Sequence, residues 1–571
     1  MSKASKKKKL KIFNIFIFLI VILGGSYLIY FGINNSGKIN NNAKTYYLSS
    51  NITTVNTYDE NFNVINTLTR GEKVELSNTE DIQDTNGNIY QKIKYNDKVY
   101  IVLKDSLKES NKNIALEEKV YVRTSTSIYS DDTSGKIIGL AKKGDELEVL
   151  GYNKIENGVV NSYKIKLGDI IGYVYGKYMV FDKDSSLAYF EQEKYHDVHA
   201  TRGDSLGAGN AGNLDYYPVE KPVFENNKMP DVVYSLYLNG GKDVISKVDE
   251  YIEFAKTTNI NAFVVDIKDN EAPAYDSEVM REYSPTNFAK ASNSMENYKA
   301  SIQKIKDAGF YVIGRITVFK DKYYATDHPE SAIMDTRTGG PYLHSNTYWP
   351  SPFKRDVWMF NVELAKEAVK EMGFNEIQFD YVRFPDRVLE YERQGLMDFR
   401  NDYTEEKAQA IQRFLMYACD ELHKLNVYVS ADVFGESAHK YVTAYGQYWS
   451  AITNVVDVIS AMPYPDHFSK YEYGFKEVVW TKPYELLTFW ANTYVVPRQS
   501  EAPTPAIVRT WIQTYDVKKS PSIVYGAEQV DSQIRALFDA GLNGGYMTWN
   551  SSSNLEKYKS QASTYQKEYK Q

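Results

Sequence analysis

Two patterns of hydrophobic and polar positions divide the 571-residue chain. Between about residues 45 and 182, short runs alternate apolar and polar positions and are broken by Gly, Asn and Asp, which is typical of antiparallel strands and turns. Between residues 231 and 560, nearly continuous Val, Ile and Phe runs alternate with amphipathic helical stretches. Because strands that are apolar throughout are buried on both faces, the second pattern predicts parallel strands covered by helices.

The first pattern repeats once, at residues 45–108 and 116–182. Each repeat has a similar centre, "GEKVEL" at residues 71–76 and "GDELEVL" at residues 144–150. We therefore expect two small all-β barrels. Both repeats resemble bacterial SH3-like domains, and the resemblance implies either contact with cell-wall material or a spacer role.

The second pattern contains eight apolar runs, each separated from the next by a helical stretch or a longer insertion. They are residues 232–240, 261–271, 310–321, 376–386, 427–437, 455–468, 506–517 and 544–553. Eight strand-and-helix units predict an α/β fold, a C-terminal (β/α)8 TIM barrel over residues 231–560. Residues 183–230 are rich in Gly, Asn and Asp, and are predicted to form a linker and lead-in to the barrel.

The N-terminal residues have a pattern of their own. Residues 1–11 are basic, residues 12–33 are almost entirely apolar, and residues 34–44 form a polar spacer. An apolar run of this length predicts a transmembrane anchor, and the preceding lysines predict a cytoplasmic N-terminus with an extracellular C-terminal part. Cleavage as a signal peptide, which would give a secreted protein, is the alternative.

Composition narrows the possible chemistry. A formal net charge of −7 argues against a nucleic-acid partner. The single cysteine, Cys419, allows no intramolecular disulfide. The strand ends have neither a glycine-rich phosphate loop nor a His and Cys cluster, so no cofactor and no metal are predicted.

Polar and aromatic residues recur where the second to eighth apolar runs end. In such barrels the carboxyl ends of the strands carry the chemistry, so these residues are expected to form a ring around a ligand. Paired carboxylates with aromatic walls suit cleavage of glycosidic bonds. The candidates are Asp266, Lys268, Asp269, Arg315, Asp380, Tyr381, Arg383, Asp432, Glu436, Tyr464, His467, Gln513, Trp549 and Asn550.

Five of these strand ends together resemble one known family. They read "FVVDIKD", "IQFDYVRFP", "VSADVFGE", "ISAMPYPDHF" and "GYMTWNSSS". Over about residues 195–555 the chain resembles a family of uncharacterised bacterial proteins classed among the barrel-fold glycoside hydrolases. The resemblance implies hydrolysis of O-glycosidic bonds in a wall or extracellular polysaccharide. A carbohydrate-binding protein without catalysis is the alternative.

The stretch "FDYVRFP" is also distantly similar to the fourth strand of the alpha-amylase-like barrels. That similarity implies that Asp380 is the nucleophile or base, and that a carboxyl after the fifth strand is the acid. Asp432 is the preferred acid and Glu436 its rival, while the remaining candidates would bind substrate. Gln378 stands where the alpha-amylase group has an arginine, which departs from that pattern. The sugar, its anomer and the stereochemical outcome stay open.

Overall fold

The computed structural model describes residues 44–50, 54–110, 114, 118–133, 135–156, 159–203 and 206–569. The predicted anchor at residues 12–33 and its basic flank lie outside these residues. In the described part of the chain, no helix is both long enough and apolar enough to cross a membrane. The chain forms two compact units, a β-rich unit that ends at Leu187 and an α/β unit from Ala188 onward, to which residues 135–140 also belong.

The first half of the β-rich unit is an antiparallel sheet. Leu48, Val55, Val74, Ile93 and Val102 belong to its core. The all-β character predicted for this region is confirmed. The strands are Thr45–Leu48, Thr54–Tyr58, Val64–Thr69, Lys73–Leu76, Ile82–Gln83, Ile89–Tyr95, Lys98–Leu103 and Leu107–Lys108, with a 3-10 turn at Lys104–Ser106.

The second half contains a similar antiparallel arrangement. Strand Glu146–Tyr152 pairs with Lys119–Val122 on one side and with Ser162–Leu167 on the other. A β-bulge between Val149 and Gly151 shifts its register. The other elements of this half are strands Thr126–Tyr129, Ile155–Glu156, Val159–Val160, Ile170–Tyr175 and Met179–Val180, the 3-10 turn Gly176–Tyr178 and the helix Lys183–Leu187. Strand Ile137–Ala141 lies between them in the chain.

Nine parallel strands form a nearly closed barrel in the α/β unit. They are β1 (Val233–Leu238), β2 (Ala262–Asp269), β3 (Tyr311–Thr317), β4 (Glu376–Asp380), β5 (Tyr428–Phe434), β6 (Val458–Met462), β7 (Ile507–Val508), β8 (Thr510–Gln513) and β9 (Gly545–Trp549). The order is β7-β6-β5-β4-β3-β2-β1-β9-β8. The prediction of an α/β chain with a parallel barrel is confirmed.

The barrel differs from the prediction at its seventh strand. The predicted strand at residues 506–517 is two short strands, because the hydrogen-bonded neighbour changes at Arg509. Before Arg509, β7 pairs with β6; after it, β8 pairs with β9. The short strands β7 and β8 thus stand at the two ends of the sheet order.

Helices and loops connect the strands. Helix Met295–Asp307 begins at Ser294, whose side chain caps it, and helix Arg355–Met372 ends at Gly373, whose left-handed φ of 67° favours glycine. The helices are His196–Ala200, Lys242–Ile245, Val248–Lys256, Glu278–Tyr283, Pro285–Ala289, Met295–Asp307, Lys322–Asp327, Arg355–Met372, Leu389–Arg393, Lys407–Leu422, Trp449–Thr453, Pro483–Trp490, the π-helix Ala491–Val495, Val496–Gln499, Ala527–Asp539, Leu555–Ser560 and Ala562–Tyr565.

Short elements decorate the loops of this unit. The 3-10 turns are Ala211–Asn213, His423–Leu425, Gly435–Ala438, Pro465–His467, Glu472–Gly474 and Val479–Thr481. The short strands are Ala272–Pro273, Met334–Asp335, Leu343–His344, Thr347–Tyr348 and Met397–Asp398.

The side chains of β4 alternate between the barrel interior and the helices outside. Phe379 contacts Phe414 of the outer helix Lys407–Leu422, with ring centroids 5.4 Å apart. Glu376, Gln378 and Asp380 point the other way, as the period of two requires. They therefore stand at the floor, the middle and the rim of the barrel.

The floor of the barrel is a buried ion pair. Arg509 Nη1 lies 2.8 and 3.0 Å from the two carboxylate oxygens of Glu376, and both side chains are fully buried. Tyr311 donates its hydroxyl to Glu376 Oε2 at 3.1 Å. The floor is thus closed by paired charges, and a ligand is expected at the opposite end, where the carboxyl ends of the strands lie.

Candidate active site

Arg315 on β3 is the centre of the rim. Its side chain is only 2% exposed. Nη1 donates to Asp266 Oδ1 at 2.7 Å and to Asp269 Oδ1 at 3.3 Å. Nε and Nη2 both donate to Asp380 Oδ2, at 3.1 and 2.5 Å. One guanidinium therefore joins the carboxyl ends of β2, β3 and β4.

Asp380 is the last residue of β4, where the backbone changes direction. The next residue, Tyr381, has a positive φ of 51°, which is uncommon for a residue with a large side chain. Its backbone N–H turns back to donate to Asp380 Oδ1 at 2.5 Å. Both oxygens of Asp380 are therefore held by donors, which fixes the orientation of the carboxylate.

Asp432 on β5 is fully buried and stands beside the same guanidinium. Its Oδ2 lies 3.9 Å from Arg315 Nε, and its Oδ1 accepts a hydrogen bond from Trp511 Nε1 at 2.8 Å. Oδ2 has no hydrogen-bond partner among the residues that the structure describes. Burial, reinforced by the negative charge of Asp380, raises the pKa of Asp432 well above its usual range.

Asp266 on β2 is a second buried carboxyl with a shifted pKa. Tyr237 on β1 donates its hydroxyl to Asp266 Oδ2. Burial raises the pKa of Asp266 to about 7, although Arg315 acts in the opposite direction. Beside Asp380, whose two oxygens Arg315 and Tyr381 hold, the rim thus contains two carboxyls, Asp266 and Asp432, that burial favours in the protonated form.

Aromatic rings form one wall of this site. Trp549 lies 4.6 Å from Tyr237, 5.5 Å from Trp511 and 6.3 Å from Tyr464, measured between ring centroids. The guanidinium carbon of Arg315 lies 5.2 Å from the centroid of Trp549. Trp549 remains partly exposed and can offer a face to a sugar ring.

A second group of rings and charges follows β4. Arg383 is buried and lies 4.4 Å from the ring centroid of Phe434 and 4.9 Å from that of Tyr381. Its Nη1 donates to Asp386 Oδ1 at 3.0 Å. Lys320 Nζ lies 4.8 Å from the centroid of the Tyr381 ring. Two cations thus lie near the ring of Tyr381, the residue after Asp380.

Lys268 is placed differently from the predicted substrate-binding residues around it. Its Nζ is fully buried, and it donates to Asp321 Oδ2 at 2.7 Å and to the backbone oxygen of Thr317 at 2.6 Å. These bonds tie β2 to the loop that follows β3. Asp269, in contrast, keeps a side chain that is 32% exposed at the edge of the site.

Gln513 and Asn550 make hydrogen bonds to loop residues, Gln513 partly to the loop after β6 and Asn550 to its own loop. Gln513 Oε1 accepts from the backbone of Asp466 at 3.0 Å, and Gln513 Nε2 donates to Tyr515 O at 3.1 Å. Asn550 Oδ1 accepts from Ser552 Oγ at 2.8 Å. Both residues shape the rim through these loops.

His467 and Glu436 stand further out. The side chain of His467 is 58% exposed, and its ring meets the edge of Tyr464 at 5.1 Å. Glu436, in the turn after β5, is exposed and accepts the hydroxyls of Tyr441 and Tyr445 at 2.8 and 2.9 Å. Glu436 therefore lies outside the group that Arg315 gathers.

Tyr237 is the rim residue that the strand-end criterion missed. It belongs to β1 and lines the barrel interior together with Val233, which lies four residues earlier on the same face of the strand. The signal was the period of two in "VVYSLYLNG", which places Tyr237 on the inner face. The criterion took candidates only from the second to eighth apolar runs and so passed over a phenol in the first.

The arrangement can support acid–base and electrostatic chemistry. A proton on Asp432 is available to a leaving group, while Asp380 is held in one orientation beside it. The carboxyl groups around Arg315 outnumber its single positive charge, so the site favours a positively charged transition state. No group of three or more His, Cys, Asp or Glu suited to a metal ion occurs in the described ranges.

Comparison with known families adds an independent finding. A family model described as "Putative glycosyl hydrolase domain" matches residues 235–555. That range contains the barrel strands from within β1 to β9 and every rim residue named above. Among proteins with curated descriptions, none matches this chain.

Several solved structures are also similar to parts of the chain. A hypothetical protein from Ruminiclostridium thermocellum is 35% identical, with 35% of this chain and 97% of that chain covered and a TM-score of 0.29. The PgaB (BpsB) glycoside hydrolase domain from Bordetella bronchiseptica is 13% identical, with 58% and 98% covered and a TM-score of 0.41. A class V chitininase from Pseudomonas fluorescens is 14% identical, with 58% and 99% covered and a TM-score of 0.35.

Proposed function

The chain belongs to the family of the "putative glycosyl hydrolase domain", and from that premise we propose that it hydrolyses O-glycosidic bonds in an extracellular or cell-wall polysaccharide. The observation that carries the proposal is the pairing of Asp380 with Asp432 at one guanidinium. Asp380 is held by two residues, Arg315 and Tyr381, and Asp432 has a raised pKa. Glycoside cleavage needs one carboxylate and one carboxylic acid in this way.

In the proposed reaction, Asp432 is the acid. Its proton passes to the glycosidic oxygen as the bond between that oxygen and the anomeric carbon breaks. Asp380 either attacks the anomeric carbon or takes a proton from the attacking water. In the first case, water then releases the sugar from Asp380 and returns a proton to Asp432.

The distance between the two carboxyls supports this pairing. Asp380 Oδ2 and Asp432 Oδ2 lie 3.1 and 3.9 Å from the same atom, Arg315 Nε. Because neither of these two distances exceeds 3.9 Å, Asp380 Oδ2 and Asp432 Oδ2 are separated by less than twice 3.9 Å. The two carboxyls are ~5–5.5 Å apart in retaining enzymes and ~6.5–9.5 Å apart in inverting enzymes. The upper limit found here is compatible with retention and with inversion of the anomeric configuration.

A panel of wall and capsule polysaccharides tests the proposal. Each is incubated with the full chain and with Asp380→Asn, and new reducing ends are measured. The wild-type chain is expected to release reducing ends from at least one polysaccharide, and Asp380→Asn is expected to abolish the release. Equal release by the two proteins would refute the role of Asp380.

Burial of the carboxyls favours a second candidate function. The side chain of Asp432 is fully buried and that of Asp380 is 7% exposed. The same rim could therefore hold a glycan without cleaving it. Binding without any release of reducing ends in the same panel would select this function.

We also propose that residues 12–33 anchor the protein in the cell membrane, with the C-terminal part outside, and that the SH3-like β-rich region contacts the wall. The apolar run and the lysines before it support the anchor. Protease added to intact cells is expected to digest the barrel of the membrane-bound protein. Recovery of the barrel from the cytoplasm would refute this location.

A further inference from the structure

A second group of aromatic rings lies in the loops that follow β5 and β6. We call His439, Tyr441, Tyr473, Phe489 and Tyr494 the Tyr473 cluster. Tyr473 lies 5.0 Å from Phe489 and 5.2 Å from Tyr494, and His439 lies 4.1 Å from Tyr494, between ring centroids. The reaction proposed above uses none of these residues.

The cluster is only partly covered by the rest of the protein. Phe489 is 36% exposed, and Tyr473 and Tyr494 are partly exposed. Large rings that serve only to fill a core are usually buried. Tyr494 also belongs to the π-helix Ala491–Val495, an element found frequently at functional sites.

Polar groups lie at the edge of the cluster. Glu436 Oε1 accepts the hydroxyl of Tyr441 at 2.8 Å, and His439 Nδ1 lies 3.0 Å from the same hydroxyl. His439 Nε2 lies 3.3 Å from the hydroxyl of Tyr473. Rings beside a carboxylate, an imidazole and phenols match a sugar, which has apolar faces and a polar edge.

The cluster is continuous with the candidate active site. Tyr445 donates its hydroxyl to Glu436, and its ring centroid lies 5.9 Å from Arg383, which is in the loop after Asp380. Glu436 also follows Asp432 by four residues. Tyr445 is itself buried, so Glu436, which is exposed, is the residue that a chain leaving the rim toward the cluster meets.

We propose that the Tyr473 cluster is a subsite for further sugar units of the polysaccharide whose bond lies at Asp380. This inference rests on the proposed function for the position of the bond, while binding at the cluster can be measured without cleavage. The protein would then prefer long chains to short oligosaccharides. A protein partner at the same surface is the alternative occupant.

Affinity electrophoresis of the full chain carrying Asp380→Asn tests the subsite. The probes are glycol chitin, chitosan, carboxymethyl cellulose and xylan, and each polymer is compared with its tetrasaccharide by calorimetry. The added changes are Phe489→Ala and Tyr494→Ala. Tyr484→Ala is the matched control, because it lies on the same helix as Phe489 and pairs with Asp539 instead.

Each cluster change is expected to weaken binding of the polymer about two- to tenfold, the effect of one lost aromatic contact. Affinity for the tetrasaccharide and the behaviour of Tyr484→Ala should stay the same. Unchanged polymer binding, equal losses for polymer and tetrasaccharide, or no binding of any of the four polymers would each overturn the inference.

The two proposals fail separately. If the wild-type chain cleaves a glycan but the cluster changes have no effect on polymer binding, the subsite is refuted and the hydrolase stands. If the wild-type chain cleaves nothing but binds a polymer through the cluster, the subsite stands and the hydrolase is refuted.

Discussion

Arg315 donates from both Nε and Nη2 to a single oxygen of Asp380, at 3.1 and 2.5 Å. Its remaining nitrogen, Nη1, is 2.7 Å from Asp266. Charge-assisted bonds of this kind are stronger than neutral ones and fix the geometry of both partners. Arg315 therefore sets the positions of the carboxyls on which the proposed chemistry depends.

Replacing Arg315 by Gln should destabilise the barrel by about 3–5 kcal/mol, because it leaves buried carboxylates without their cation. Denaturant unfolding, followed by tryptophan fluorescence, measures this cost. Arg387→Gln is the control, since that side chain is 92% exposed, and it should change the free energy of unfolding by less than about 0.5 kcal/mol. Similar costs for the two variants would contradict the central role of Arg315.

Asp432→Asn should lower kcat by about 10²–10⁴-fold if Asp432 is the general acid. The loss should shrink on a dinitrophenyl glycoside, because that leaving group departs without protonation. Glu436→Gln tests the rival acid. It should leave kcat nearly unchanged on the polysaccharide and on the dinitrophenyl glycoside. A leaving-group-dependent loss in Glu436→Gln, and not in Asp432→Asn, would reverse the assignment.

Replacing Trp511 should shift the pH dependence of kcat. An acid must be protonated to act, so kcat should fall as the pH rises through the pKa of Asp432. The hydrogen bond from Trp511 favours the ionised form of Asp432 and so lowers this pKa, although burial raises it more. Trp511→Phe should therefore move the alkaline limb of the kcat profile to higher pH. A shift to lower pH would be inconsistent with Asp432 as the titrating acid.

Asp266 should make stability depend on pH. Burial raises its pKa from 3.8 to about 7, so the folded state binds its proton more tightly than the unfolded state does. Its stabilising contribution is complete below the unfolded pKa and is lost as the pH rises toward 7. The difference in free energy of unfolding, wild type minus Asp266→Asn, should fall between pH 4 and 7 by up to about 1.4 kcal/mol per pH unit. If this difference stays constant or rises with pH, the pKa of Asp266 is not raised in the folded state and the prediction is wrong.

The floor of the barrel should affect stability and not chemistry. Arg509→Met leaves the Glu376 carboxylate buried without its cation, at a cost of about 3–5 kcal/mol. Adding Glu376→Gln should recover part of that loss, which a double-mutant cycle in denaturant measures. If the folded Arg509→Met protein had a changed KM for substrate, the floor would be coupled to the site.

The sequence predicted much of the barrel from local pattern. The apolar runs located the strands because a strand buried on both faces must be apolar along its length. The period of two of a strand puts Asp380 and Phe379 on opposite faces of β4, and Phe379 contacts the outer helix. The split of the seventh strand at Arg509 was missed, because a change of hydrogen-bonded neighbour leaves no local signal.

The sequence predicted which residues belong to the candidate site, but not which of them contact each other. Asp266, Arg315, Asp380 and Asp432 were all chosen from strand ends, and the structure brings them together. Lys268 shared that signal, yet it is buried against Asp321. Nothing near Lys268 in the chain indicates this, since Asp321 belongs to a different loop.

What the sequence determined by itself was which residues are apolar, which end a strand and which face of a strand they occupy, because these depend on neighbours within a few positions. The tertiary structure alone decided that Arg315 holds Asp380, that Asp432 is buried with a raised pKa, and that the Tyr473 cluster adjoins the rim. Charge pairing and desolvation act over a few ångströms of space, and closing the barrel is what brings residues of distant strands within that range.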